Sequence, residues 1–228
     1  MHNFKMIAAA AATAGAIALA NAPAQAATIS LGGGTAGAIP DSAQKRYVLA
    51  GLGFTEPLAG FFGSSVSVIG SSPLRVEFLG FEAGYANTFT LDGSGFSTET
   101  IAPDNKEVFA TPPAYLTGGL SGLLEFVFAT SGGGKPSSVT NVANPTDNAD
   151  GPTGVNFFAS IVGAPTATSG RSVMLFFDDN GANNDDDHDD MVVRLSVVPV
   201  PASLPLLLGA LAGLGFLSRR RRAYASAA

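Results

Sequence analysis

The feature that most constrains this chain is its punctuation. Between residues 46 and 198, short apolar runs are separated again and again by clusters of Gly, Pro, Asn and Ser. Runs of that length bounded by turn formers are strand signals. No stretch in this region repeats apolar residues at helical spacing with caps at its ends, so no sustained helix is predicted. Strands are predicted at 46–52, 66–70, 74–81, 87–91, 95–101, 123–129, 155–162, 172–177 and 191–198. Leu74, Val76 and Phe78 alternate with Arg75 and Glu77, which gives one buried and one wet face. Residues 173–177 are apolar on both faces and predict a central strand. In 191–198, Met191, Val193, Leu195 and Val197 share a face, with Arg194 and Ser196 opposite. Asp92-Gly93-Ser94-Gly95 predicts a hairpin turn. The fold class that follows is all-β, an antiparallel β-sandwich or jelly roll. Residues 27–45 are small and Gly-rich, a leading strand or linker. Residues 132–154 predict a long polar loop.

Charge is unevenly placed. Five of the twelve basic residues, Lys5 and Arg219 to Arg222, lie near the ends. Residues 27–198 therefore carry seven basic against all 18 acidic residues, a net charge of −11. Nucleic-acid phosphate would repel such a body. There is no Cys, which excludes disulfides, a cysteine nucleophile and a thiolate metal site.

Residues 178–190 hold seven Asp in 13 positions and no Lys or Arg. Strands flank them, so a hairpin loop gathers the carboxylates. Two carboxylates about 4 Å apart repel by about 1 kcal/mol in water and by several times more near a protein surface. A divalent cation relieves that repulsion, and Asp, Asn and backbone oxygens suit Ca²⁺. The candidate ligands are Asp178, Asn180, Asp185, Asp187 and Asp189. No EF-hand is present: no Glu closes a 12-residue loop and no helices flank it. The alternative is a solvated acidic loop with no specific ion. One His among carboxylates makes a poor zinc site, and His188 is read as an exposed loop residue.

The two ends read as signals. Lys5, the apolar run 6–20 and the small residues Ala24 and Ala26 form a secretory signal peptide over residues 1–26, with cleavage before Ala27. At the other end, Val198-Pro199-Val200-Pro201-Ala202 precedes the uncharged stretch 204–217, and Arg219, Arg220, Arg221 and Arg222 close it. Those 14 residues reach about 21 Å as a helix, against about 30 Å of bilayer core. The span is short, and the arginines belong on the cytoplasmic side. The body then spans residues 27–197, the tail 198–222, and residues 223–228 follow.

This tail resembles the PEP-CTERM sorting signal in its VPLPA-type variant, which has a Pro-containing motif, a short apolar helix and a terminal Arg cluster. Val200 stands where that variant usually has Leu, the PEP tripeptide is absent, and residues 223–228 run past the arginines. The resemblance implies cleavage near Val198 to Ala202 by an exosortase, a membrane-bound, cysteine-dependent transpeptidase-like protease. The product would be released or attached at the surface of a Gram-negative bacterium that makes exopolysaccharide. A simple single-pass tail anchor is the alternative. Residues 178–190 and 79–89 also resemble segments of other sorted β ectodomains, for which the resemblance implies no activity.

Enzyme chemistry has little to stand on. With the signal removed, His188 is the only histidine, and no GxSxG elbow accompanies it. A carboxylate-pair hydrolase would draw on Glu77, Glu82 or Glu125, yet Glu77 and Glu125 read as solvent-face strand residues. The expectation is an exported structural or adhesive surface or matrix protein, associated with exopolysaccharide or biofilm. Its partners would be signal peptidase, exosortase and the membrane. The alternative is a carbohydrate-binding module using Tyr47, Tyr85 or Tyr115, and a polysaccharide hydrolase comes last.

Overall fold

In the chain's computed structural model, residues 26–39, 47–54, 57–98, 106–131, 137–144, 155–179, 188–199, 207 and 209–215 are described. The fold is all-β and antiparallel. The strands are β1 (Thr28–Gly32), β2 (Thr35–Ile39), β3 (Leu58–Phe62), β4 (Ser65–Glu82), β5 (Asn87–Leu91), β6 (Ser94–Ser97) and β7 (Lys106–Val108). They continue with β8 (Ala114–Leu123), β9 (Phe126–Thr130), β10 (Ser137–Thr140), β11 (Asn156–Ile161), β12 (Ser169–Gly170), β13 (Ser172–Asp178) and β14 (Met191–Val197). Among the described residues of 27–198 one short helix, α1 (Tyr47–Gly51), precedes β3. The larger sheet runs β12-β1-β4-β14-β13-β11-β3-β2, with β7 and β8 also paired to β4. The smaller runs β10-β9-β5-β6.

The two sheets meet in a phenylalanine core. Phe128 of β9 stacks on Phe177 of β13, with ring centroids 4.9 Å apart and planes 7° from parallel. Phe126 of β9 meets Phe157 of β11 at 5.2 Å. Such pairs contribute about 0.5–1.5 kcal/mol each beyond the area they bury. β13 is central, as its two apolar faces predict. Its inner face supplies Val173, Leu175 and Phe177 to this core. Its other face, Met174 and Phe176, packs with Phe158, Val192, Val48 and Leu49 in a second cluster under α1.

Four sequence expectations are corrected. Residues 46–52 do not form a strand: α1 is helical and ends with Gly53 at φ +88°, after which the Phe54 amide donates to the Leu49 carbonyl. A left-handed Gly is the usual helix stop, but one helical turn is too short to show a period. The predicted strands 66–70 and 74–81 are one strand, β4. Gly70 takes φ +87°, and the pairing with β8 shifts register on both sides of Pro73. Gly-Ser-Ser-Pro reads as a turn but acts as a bulge. Residues 132–154 are not one loop, since β10 lies within them. β2, β3, β7, β8 and β12 were not foreseen: Gly and small residues weaken the signal of β2, β8 and β12, β7 is three residues of which two are charged, and β3, with Leu58, Phe61 and Phe62, carried a readable signal that the expected strands omitted. The Asp92-Gly93 turn is as expected: φ values of 55° and 73° make a two-residue turn joining Leu91 to Ser94.

By its internal contacts the chain separates into Ala27–Val198 and a second unit of residues 1–26 and 199–228. In the second unit, residue 207 and residues 209–215 are helical, with Leu207, Leu211 and Leu214 exposed. Among the described residues no helix is long and apolar enough to cross a membrane.

Candidate functional site at the root of the acidic hairpin

β13 and β14 pair from Ser172↔Ser196 to Phe177↔Met191, so residues 178–190 do connect two hairpin strands. The root of this connection is buried, which the sequence did not suggest. Asp178, Asp179, His188 and Asp189 are all buried. His188 is corrected from an exposed loop residue to a core one, at 1% exposure. Its backbone is left-handed, with φ 55°. That turn drives the ring inward, edge-on to Phe62 and Phe158 at 5.4 and 6.3 Å. Its Nε2 lies 2.7 Å from Asn156 Oδ1. An amide oxygen only accepts, so Nε2 is the donor in this arrangement.

The carboxylates at the root hold backbone. Asp189 Oδ2 accepts the Val48 amide of α1 at 2.9 Å, and its carbonyl accepts the Glu82 amide at the end of β4. Asp190 Oδ2 accepts the Asp179 amide at 2.8 Å. Asp179 Oδ2 accepts Asn87 Nδ2 at 2.6 Å, which ties the hairpin to β5 in the smaller sheet. Asp178 ends β13 opposite Asn156. Hydrogen bonds from N–H groups are what make buried carboxylates tolerable. Sequence reasoning missed Asn87 and Asn156, since single Asn residues at strand starts look like turn formers.

Of the predicted Ca²⁺ ligands, Asp178 and Asp189 lie at this root, while Asn180, Asp185 and Asp187 lie outside the described residues. Among the described residues no group of three or more His, Cys, Asp or Glu is placed to hold a metal ion. The root residues that are described act as backbone anchors.

The other candidates behave differently. Glu77 is not a solvent-face residue: it is 5% exposed. Arg194 Nε lies 2.8 Å from its Oε2 and Arg75 Nε 3.0 Å from its Oε1. Burial alone would raise its pKa, but the bonds and charges of Arg194 and Arg75 outweigh that and hold it below the ordinary value. A catalytic acid needs the opposite shift. Glu125 is exposed, as expected. Tyr115 is half-buried against Phe96, its hydroxyl 3.1 Å from the carbonyls of Leu91 and Ser94. Burial, with Asp92 nearby, pushes its pKa up to about 12. Tyr47 is 43% exposed, with Lys106 Nζ 5.0 Å from its ring centre.

The chain matches no family model, no curated protein and no solved structure.

Of the predicted processing residues, Ala26, Ala27, Val198 and Pro199 are described, while Ala24, Val200, Pro201, Ala202 and Arg219 to Arg222 lie outside the described residues. The ends of the β body sit together. A Cβ on Gly70 would stand 3.5 Å from Ala27 Cα. The Val198 amide donates to the Pro73 carbonyl at 3.0 Å, and the Ser72 hydroxyl lies 2.9 Å from the Val198 carbonyl. Both ends leave beside the bulge of β4.

Proposed function

We propose that this chain is an exported bacterial protein whose β body is delivered to the cell surface or extracellular matrix by an exosortase. Its role there is structural or adhesive, in association with exopolysaccharide. The observation that carries this reading is where the body begins and ends. The unit with its own core is Ala27–Val198. Those limits fall at the two points where the sequence predicts cuts: before Ala27, and within Val198 to Ala202. Among the described residues, none of the buried core lies outside the span between those points. The exposed leucines of the tail helix favour insertion into lipid.

We take the finer form of the fold to be a β-sandwich of jelly-roll type, supported by the core shared between the two sheets. The body is read as non-enzymatic, supported by the double arginine clamp on Glu77 and by the use of Asp189 and Asp190 as backbone acceptors. Ca²⁺ is the ion we assign to the acidic hairpin, on the chemistry of its donors. The carbohydrate-binding alternative retains Tyr47, while Tyr115 has its hydroxyl turned to the backbone.

The test is the location of the protein with an intact and with a scrambled 198–222 segment. The intact chain should reach the surface or medium shortened, and the scrambled one should stay in the inner membrane or periplasm. Equal delivery of both would end the exosortase reading. A glycan array on the mature body distinguishes the adhesive role from a sugar-binding module.

A further inference from the structure

Two signals that enter a membrane place a geometric demand on the body between them, and the position of its ends meets that demand. Ala27 abuts Gly70, and Val198 is bonded to Ser72 and Pro73. The six residues 21–26 separate this corner from the apolar run of the N-terminal signal, and the five residues 199–203 separate it from the apolar stretch 204–217. Fully extended, such linkers reach at most about 20 Å. Whichever signal is inserted, the same corner of the body is held close to the bilayer.

The surface at this corner suits such a position. Ser67 of β4 pairs with Leu123 of β8, and Ile69 lies two residues on from Ser67, so Ile69 and Leu123 lie on the same outer face. They are 56% and 46% exposed, and Leu116, opposite Arg75 on the same strand pair, is 65% exposed. β8 carries no Asp, Glu, Lys or Arg along its ten residues. In a body of net charge −11, a strand with no carboxylates of its own repels anionic lipid less than its surroundings do. Asp92 and Glu125 border it, in the cleft they share with Leu120 and Leu123. The far end of β4 lies at the root of the acidic hairpin. Twelve residues of β4 separate Gly70 from Glu82, whose amide is bonded to Asp189. At strand rise that is up to about 40 Å.

We propose that the β4 bulge and the Leu123 end of β8 form the membrane-facing surface of the body while its ends are anchored. Ile69 and Leu123 lie at the lipid headgroups, and the root of the acidic hairpin lies at the far end of β4. This rests on the reading of the two ends as membrane signals.

The absence of Cys makes the test direct. The full chain is prepared as Ile69→Cys, Leu123→Cys and, as the distal control, Tyr47→Cys. Each carries an environment-sensitive nitrobenzoxadiazole label and is reconstituted into vesicles of phosphatidylethanolamine and phosphatidylglycerol with a headgroup-level nitroxide quencher. Labels at 69 and 123 should be quenched several-fold more than the label at 47, and the difference should vanish for a chain ending at Val198. If the full chain floats with vesicles but all three labels respond alike, the surface is wrong and the membrane reading stands. If the full chain does not float, the membrane reading of the tail fails and the proposed surface fails with it.

Discussion

Asn141 offers the sharpest test of how the two sheets are joined. It follows β10 in the smaller sheet and is 2% exposed. Its Oδ1 accepts the Val66 amide of β4, and its Nδ2 donates to the carbonyls of Val66 and Leu124, all at 2.7 Å. The side-chain amide acts as a piece of strand, closing backbone that has no strand there. In Asn141→Ala the Val66 carbonyl keeps the Leu124 amide as donor at 3.0 Å. The Val66 amide loses its acceptor, and the Leu124 carbonyl loses a donor. A buried group left without its bond costs about 1–3 kcal/mol, so a total near 3 kcal/mol is expected. For a body of this size that lowers the melting midpoint by roughly 6–12 °C. Asn141→Asp keeps the volume but turns a carboxylate oxygen toward two carbonyls, and should cost at least as much. Thermal and urea unfolding of the purified chain, followed by circular dichroism, read both variants. Losses below about 1 kcal/mol for both would refute the clip, since they would fall beneath even one orphaned group.

Three further outcomes follow from the same structure. Asp189→Ala removes the acceptor of the Val48 amide and should lower stability by about 1 kcal/mol, in the range of a lost helix cap. Faster hydrogen exchange at Val48 than in the parent checks it. Glu77 has a folded pKa below its ordinary value of 4.5. Its contribution is therefore complete above that value and is lost as pH falls through the folded pKa. Glu77→Gln should lower the urea midpoint at neutral pH and narrow its gap to the parent as the pH falls below 4.5; an unchanged gap refutes the clamp. Saturating Ca²⁺ should raise the melting midpoint over that in chelator, by about 2.7 kcal/mol of stability at one hundred times Kd. Coincident melts would remove the ion.

The sequence made the core strands legible because β5, β9, β11, β13 and β14 are dense in Phe, Val, Leu and Ile, and a buried strand needs that density. It hid β2 and β8, whose Gly, Ala, Ser and Thr leave no apolar alternation to read. It hid β10 behind Ser and Thr inside a polar stretch, and with it Asn141 and Asn144. Asn144 pairs its amide with both backbone groups of Phe157 at 2.7 and 2.9 Å. The acidic hairpin was visible as a charge run, but its buried root was not. A run of aspartates says solvent, and only the amides of Val48 and Asp179, brought in from elsewhere in the fold or across the hairpin, explain why Asp189 and Asp190 turn inward. Glu77 shows the same limit: alternation placed it on the wet face, and Arg194 on the adjacent strand covered it.

Under the proposed function, the β body is freed from two temporary membrane handles. Intact-mass measurement of the protein recovered from its native cells tests it most directly. The expected product is a chain that starts at Ala27 and ends between Val198 and Ala202, found at the surface or in the medium. A chain in the cytosol that still carries residues 1–26 and 203–228 would contradict it.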